Sequence, residues 1–202
     1  MKIPNTASCV FNGVIFDVYQ WKQKMFDGSY ATFEALKRPN TIQIIATTTG
    51  KETKRKNSKE DGRESGRKSG KICLLQEEQP TKSVFYGLPG GRQEKNETPL
   101  GCAKRELLEE TGLVSDDWQL LKTYEPFHKL EWFVYVFAAK NCKKVAKQKL
   151  DAGEKISVSW VSFDKFISLL IGKKFWGREL TADILRARLT KNGLASFKKR
   201  IM

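Results

Sequence analysis

Residues 88–113, LPGGRQEKNETPLGCAKRELLEETGL, constrain this chain more than any other stretch because they carry their own start and stop signals. Thr98 suits an N-cap, where its hydroxyl can accept from a backbone N–H that the helix leaves unpartnered. Pro99 suits the first helical position, and Gly112 suits the left-handed residue that ends a helix. A short helix is thereby bracketed. At ~100° per residue, Leu100, Ala103 and Leu107 share one face, while Glu106, Glu109 and Glu110 crowd within about a quarter-turn on another. Like charges so spaced cost a few tenths of a kcal/mol per pair, and hard divalent cations, which prefer oxygen ligands, remove that cost. Arg105 precedes Glu109 by one helical turn and can hold its carboxylate. Glu97 adds a fourth acid just before the helix. Leu88-Pro89-Gly90-Gly91 reads as a tight turn whose bare backbone lets a phosphate or metal approach closely.

By spacing alone the acids also fit an exposed acidic helix face. The whole pattern is more specific. Gly91, Glu97, Arg105, Glu106, Leu107, Glu109, Glu110, Gly112 and Leu113 match the Nudix box, Gx5Ex7REUxEExGU with U aliphatic, at every defined position, and on these residues the chain resembles the Nudix hydrolases. The resemblance implies an α/β (α+β) fold: an α/β/α sandwich around a mixed sheet, with the box forming a loop–helix–loop that binds Mg2+ or Mn2+. It implies Glu106 and Glu110 as metal ligands and Glu109 as ligand to a further metal. Arg105 would orient them, and the Gly90 carbonyl would also touch metal.

Elsewhere the chain alternates β-rich and helical patterns. Residues 9–20 and 28–36 flank the turn signal Phe26-Asp27-Gly28-Ser29 and predict an N-terminal β-hairpin, an extension over residues 1–40. Strands are expected at 41–47, 72–76, 118–124, 131–138 and 156–162, and helices at 163–171 and 179–189. Residues 41–202 would form the Nudix domain. Residues 50–70, GKETKRKNSKEDGRESGRKSG, hold no large apolar side chain and predict a flexible basic insertion.

Beyond the box the resemblance is to the ADP-ribose and nucleoside-diphosphate-sugar pyrophosphatases. It is carried by the N-terminal hairpin leading into Phe33-Glu34-Ala35-Leu36-Lys37-Arg38-Pro39, and by a late acidic loop, Leu150-Asp151-Ala152-Gly153-Glu154-Lys155-Ile156. That likeness makes Glu154 the candidate general base, its bland alternative being a surface glutamate in a turn. Members acting on ADP-ribose carry an arginine–tyrosine pattern after the central strand, where this chain has Gln76-Glu77-Glu78-Gln79-Pro80, so the substrate stays open. Lys82 or Arg92 can supply cationic contacts to a diphosphate, or can simply be solvated. Trp21, Tyr30, Trp132 and Tyr135 could stack on a base, although strand aromatics more often fill cores. His128 is the only histidine and reads as structural.

Net charge of +14 favours polyanionic partners. The expected partner is a nucleoside diphosphate derivative, with a weak RNA contact through the basic insertion and a homodimer through the N-terminal hairpin. No stretch approaches the roughly 20 apolar residues of a membrane span, and a cytoplasmic location is expected. Four scattered cysteines without CxxC pairing predict reduced, mostly buried thiols. Three functions remain: hydrolysis of a nucleoside-diphosphate-linked compound, removal of diphosphate from RNA 5′ ends, and non-catalytic nucleotide or RNA binding. Intact carboxylates speak against the third.

Overall fold

A computed structural model describes residues 2–48 and 70–202. The insertion expected at 50–70 lies, apart from Gly70, outside the described residues. The chain begins with β1 (Ser8–Asn12), β2 (Asp17–Lys24) and β3 (Tyr30–Lys37), followed by β4 (Thr41–Ala46), β5 (Ile72–Gln79) and β6 (Lys82–Gly87). Helix α1 (Pro99–Thr111) leads to β7 (Leu113–Val114), β8 (Asp117–Tyr124), β9 (Leu130–Glu131), β10 (Val134–Lys140) and β11 (Lys143–Lys144). Strand β12 (Lys155–Val161) then runs into α2 (Phe163–Leu170), α3 (Glu179–Arg188) and α4 (Gly193–Ile201).

The expected hairpin is instead a three-stranded antiparallel meander, β1-β2-β3, extended by β9 parallel to β3. Its first strand stops at Gly13, whose N–H bonds the Phe16 carbonyl at 3.1 Å, and that turn splits the run read as one strand. Two other sheets form the centre. In one, β10 lies between parallel β4 and antiparallel β8; in the other, β5 lies between antiparallel β12 and β6. A bridge between Thr47 and Ile72 connects them.

The central strands are buried on both faces, as strands covered by helices on either side must be. Alternation sends Ile42, Ile44 and Ala46 of β4, with Cys73 and Leu75 of β5, toward Cys102, Ala103 and Leu107 of α1. The intervening Ile45, Ile72 and Leu74 pack with Phe166 and Leu170 of α2, Ile184 of α3 and Ile201 of α4. The result is the layered mixed sheet that the sequence suggested, with α1 on one side and the three later helices on the other. Strand β6 and helix α4 were not anticipated. The first is short and follows a Pro-containing turn, and the second opens on Gly193 with no side-chain cap. Of the four thiols, Cys73, Cys102 and Cys142 are buried and Cys9 is exposed; all are free.

Candidate active site

Helix α1 is made where the sequence places it. Thr98 is extended, and its hydroxyl accepts from the Gly101 N–H at 3.0 Å; Gly112 is left-handed at φ 66°, its N–H bonding the Leu108 carbonyl. A side chain at Gly112 would lie 2.1 Å from the Ala146 carbonyl oxygen, so glycine is needed there for space as well as for φ. The buried face differs from expectation in one position. Leu100 is half-exposed and Cys102 takes its place beside Ala103 and Leu107, because the helix packs against β4 one residue further round.

Residues 89–91 do not make a tight turn. They run along β4 as a ledge, with the Pro89 carbonyl accepting from Ile44 N–H at 2.8 Å and the Gly91 carbonyl from Ile42 N–H at 2.9 Å. Gly90, at φ 148°, is pressed so close to Ile42 that a Cβ would lie 2.1 Å from its carbonyl oxygen. A Cβ on Gly91 would collide with the Glu106 carboxylate at 2.3 Å. Gly90 is therefore required by the backbone beside it and by its φ, whereas Gly91 is faced by the tip of the Glu106 side chain; both bring bare backbone against the acids.

Arg105 organises these acids. Its Nε and Nη2 donate to the two Glu97 oxygens at 3.0 and 3.1 Å, and Nη1 donates to Glu106 at 2.9 Å and Glu109 at 3.0 Å. Nη2 also reaches the Arg92 carbonyl at 3.2 Å, tying helix to ledge. The bond from Arg105 holds Glu97 below the usual carboxylate range and, reciprocally, raises the guanidinium. Glu110 is turned away from this fork. It is buried and accepts from the Gly90 N–H at 2.7 Å.

Burial pushes Glu106 and Glu110 above the usual range, Glu110 far above. A third acid shares this fate and was not singled out from the sequence. Glu77, on β5, is pushed up to about 7 by burial and by Glu154. It alternates with Cys73 and Leu75 and so faces the α1 side, a signal that period-two reading of the strand could have found. Glu154 lies on the loop before β12, is exposed, accepts from the Asp151 N–H at 3.2 Å, and adds its negative charge to the field at Glu77, Glu106 and Glu110.

Glu77, Arg105, Glu106, Glu109, Glu110 and Glu154 line one cavity of about 1440 Å3, together with Gly90, Gly91, Arg92 and Lys82. Arg92 is exposed on the ledge. Lys82 lies over two rings, its Nζ 2.9 Å from the Trp176 centroid and 3.8 Å from that of Phe85. The cavity also holds Trp132, which lines the cavity instead of filling the core. The Arg38 guanidinium lies 4.7 Å from its ring centroid and 5.4 Å from that of Phe16, and Arg38 Nε is buried with no partner. Of the other aromatics weighed as stackers, Trp21 packs on Phe33, Tyr135 joins the core around α1, and Tyr30 is exposed.

The donor set suits a hard divalent cation. The buried Glu110 and the half-buried Glu106 lie beside Glu109 and the bare Gly90 backbone, with Arg105 as the cation bonded to Glu106 and Glu109. As the side chains stand, Arg105 and Gly90 hold them apart, and among the described residues no three acidic, histidine or cysteine side chains close around one point.

Residues 63–184 match the family description "NUDIX domain". The ADP-ribose pyrophosphatase of Bacillus subtilis (strain 168) is 24% identical over 173 residues, covering 83% of this chain and 82% of that protein. The mRNA-decapping protein g5R of African swine fever virus (isolate Pig/Kenya/KEN-50/1950) is 27% identical over 112 residues, 48% of this chain and 46% of that protein, so the match spans under half of its length. A crystal structure of an ADP compounds hydrolase superposes with a TM-score of 0.65 at 17% identity, over 92% of this chain and 91% of that one, which extends the likeness of fold to nearly the whole length.

Proposed function

This chain belongs to the Nudix hydrolase family, and we propose that it cleaves the diphosphate bond of a nucleoside diphosphate linked to a second moiety, with ADP-ribose or a nucleotide sugar as the working substrate. The observation that carries this reading is the meeting, in one cavity, of the Arg105-ordered acids with the bare backbone of Gly90 and Gly91. The Bacillus relative, aligned over most of both chains, supports the substrate class.

Glu106, Glu109 and Glu110, with the Gly90 carbonyl, would hold Mg2+ or Mn2+, which when bound neutralises charge on the phosphates and makes water more acidic. Arg105 keeps the acids of α1 oriented through its fork to Glu97, Glu106 and Glu109. Glu154 takes the proton of the attacking water on its carboxylate; its loop brings negative charge to the same acids and leaves the carboxylate open to solvent. Arg92 and Lys82 meet the negative charge of the diphosphate, and the Arg38–Trp132 pair offers a stacking face to the nucleoside.

The test is hydrolysis of ADP-ribose in Mg2+ by wild type and Glu110→Gln. The variant is expected to lose about 100-fold or more in kcat, and equal rates would exclude this site. A second reading, removal of diphosphate from RNA 5′ ends, is favoured by the +14 charge, by the basic residues of 50–70 and by the decapping relative. Deleting 50–70 separates the two, since turnover of small substrates should survive while RNA activity falls and loses salt dependence. For assembly, we propose a homodimer through the N-terminal sheet, which exposes Val10, Phe11, Val14 and Phe26; analytical ultracentrifugation decides it.

A further inference from the structure

We propose that Trp176, with Lys82, Lys173, Lys174 and Arg178, forms a subsite for a second nucleotide, one beyond the diphosphate that is cleaved. The inference rests on the hydrolase reading of the same cavity and extends its substrates, beyond ADP-ribose and nucleotide sugars, to compounds that carry a second nucleotide.

Trp176 is 63% exposed, yet its backbone is fixed. Its N–H donates to the Tyr86 carbonyl at 2.7 Å, and Tyr86 N–H donates to the Lys174 carbonyl at 2.8 Å, so the α2–α3 loop lies along β6 as a short parallel bridge. Phe175 beside it is buried and anchors the loop in the core. Gly177, at φ 82°, is packed against the Gln43 side chain, where any Cβ would meet the amide nitrogen, and Arg178 Nη2 returns to the Lys173 carbonyl at 3.1 Å. The fold is thus served by Phe175 and Gly177. It gains little from a tryptophan at the position between them that leaves most of its ring in water, and a large apolar ring displayed on a pinned backbone is the mark of a binding surface.

The surroundings of the ring specify the ligand chemistry. Lys82 Nζ covers it at 2.9 Å and Phe85 flanks it at 6.0 Å between centroids. Lys173, Lys174 and Arg178 are exposed within three residues of it, and among the described residues none of them has a carboxylate partner. Basic groups interleaved with an exposed aromatic suit an unpaired nucleotide: the base stacks on the ring and the phosphates meet the cations. The volume, about 1440 Å3, exceeds the roughly 300–1,000 Å3 of pockets built for one small ligand. A base and phosphate arriving here could come from a dinucleoside polyphosphate or from the 5′ end of an RNA, and the chemistry of recognition is the same for both.

The experiment is calorimetric titration of wild type, Trp176→Ala and Trp176→Phe with three ligands: ADP-ribose, diadenosine tetraphosphate, and a 5′-phosphorylated oligoribonucleotide. EDTA is present so that binding is read without turnover. Trp176→Ala is expected to weaken at least one two-nucleotide ligand by about 10-fold more than it weakens ADP-ribose, and Trp176→Phe to restore most of that loss. Selective loss for the tetraphosphate identifies a small-molecule source; selective loss for the oligoribonucleotide, steepening with salt, identifies RNA. Equal losses for all three ligands, or no saturable binding of either two-nucleotide ligand to wild type, would overturn the subsite. Turnover of ADP-ribose in Mg2+ is scored separately, so a failed subsite with active enzyme is distinguished from a failed hydrolase assignment.

Discussion

The acidic ledge and the aromatic–basic rim line one cavity but are built in opposite ways. The acidic ledge with its helix, residues 88–113, is a single continuous stretch whose helix caps and Arg105 fork bond within the stretch itself, while residues 89–91 also lean on β4. The rim joins β6 to a loop about ninety residues later, through two backbone hydrogen bonds and a lysine lying on a tryptophan. Continuity lets the ledge hold several like charges in a partly buried space, and the cost of that charge stays within it. The rim carries a smaller burden, since Lys173, Lys174 and Arg178 are exposed and Lys82 is partly buried, and it is free to serve affinity. Perturbing the ledge should therefore alter stability and kcat, while perturbing the rim should alter KM.

The largest test of that contrast is pH. Glu77 is pushed up to about 7 in the folded protein from a reference of 4.5, and Glu106 and Glu110 are moved in the same direction. Below pH 4.5 Glu77 is protonated whether the chain is folded or not, and it costs nothing. Between 4.5 and 7 the unfolded chain releases the proton while the folded one keeps it, so stability falls through this window, by on the order of 3 kcal/mol in all for Glu77. Acids held low by partners, such as Glu97 and Asp183, act only below that window and in the opposite sense. In EDTA, urea unfolding at pH 5 should show greater stability than at pH 8. Glu77→Gln should flatten the difference, Mg2+ should reduce it, and no comparable change should follow from Trp176→Phe.

A smaller effect is expected at Arg105. Arg105→Ala removes the one guanidinium shared by Glu97, Glu106 and Glu109, and should lower kcat by about 10- to 100-fold, as loss of a group that orients ligands commonly does. On the rim, Lys82→Ala should instead act mainly on KM, because Lys82 lies on the Trp176 and Phe85 rings and meets the acids of α1 through no hydrogen bond or ion pair among the described residues, its one acidic influence being the charge of Glu77. Steady-state kinetics on ADP-ribose reads both. If the two variants show the same kcat and KM pattern, the division between ledge and rim is wrong.

The same difference of construction explains what could be read from the sequence. Thr98, Pro99 and Gly112 bracket α1 by local chemistry, and the chain forms the helix there. Glu106, Glu109, Glu110 and Arg105 follow from helical periodicity, so their neighbourhood was legible without a structure. Errors arose where the deciding partner is distant. The ledge was taken for a tight turn because its hydrogen bonds go to β4, some fifty residues earlier. Leu100 shares a face with Ala103 and Leu107 by period yet is exposed, since the angle at which α1 meets β4 is set by packing and not by period. The N-terminal meander hid behind Gly13, whose close contact with the Phe16 carbonyl forces the chain to reverse. Trp132, one of four strand aromatics able to stack on a base or to fill the core, could not be told from the others, and Trp176 gave no sign of facing a cavity, because cavities are made by elements far apart in the chain.

The smallest effect separates the two regions by stability alone. At the start of α1 the Thr98 hydroxyl accepts from Gly101 N–H, and Thr98→Ala should cost about 1 kcal/mol, lowering Tm by about 2–4 °C for a chain of this size. At the start of α3 the corresponding position is Arg178, which makes no side-chain cap bond and whose guanidinium reaches only the Lys173 carbonyl. Arg178→Ala should therefore stay within about 0.5 kcal/mol of wild type. A thermal melt of both variants in the same buffer compares them directly. Equal losses would mean that the rim's loop is held by its arginine as firmly as the ledge is held by its cap, and the contrast between a self-contained acidic site and a borrowed aromatic one would no longer hold.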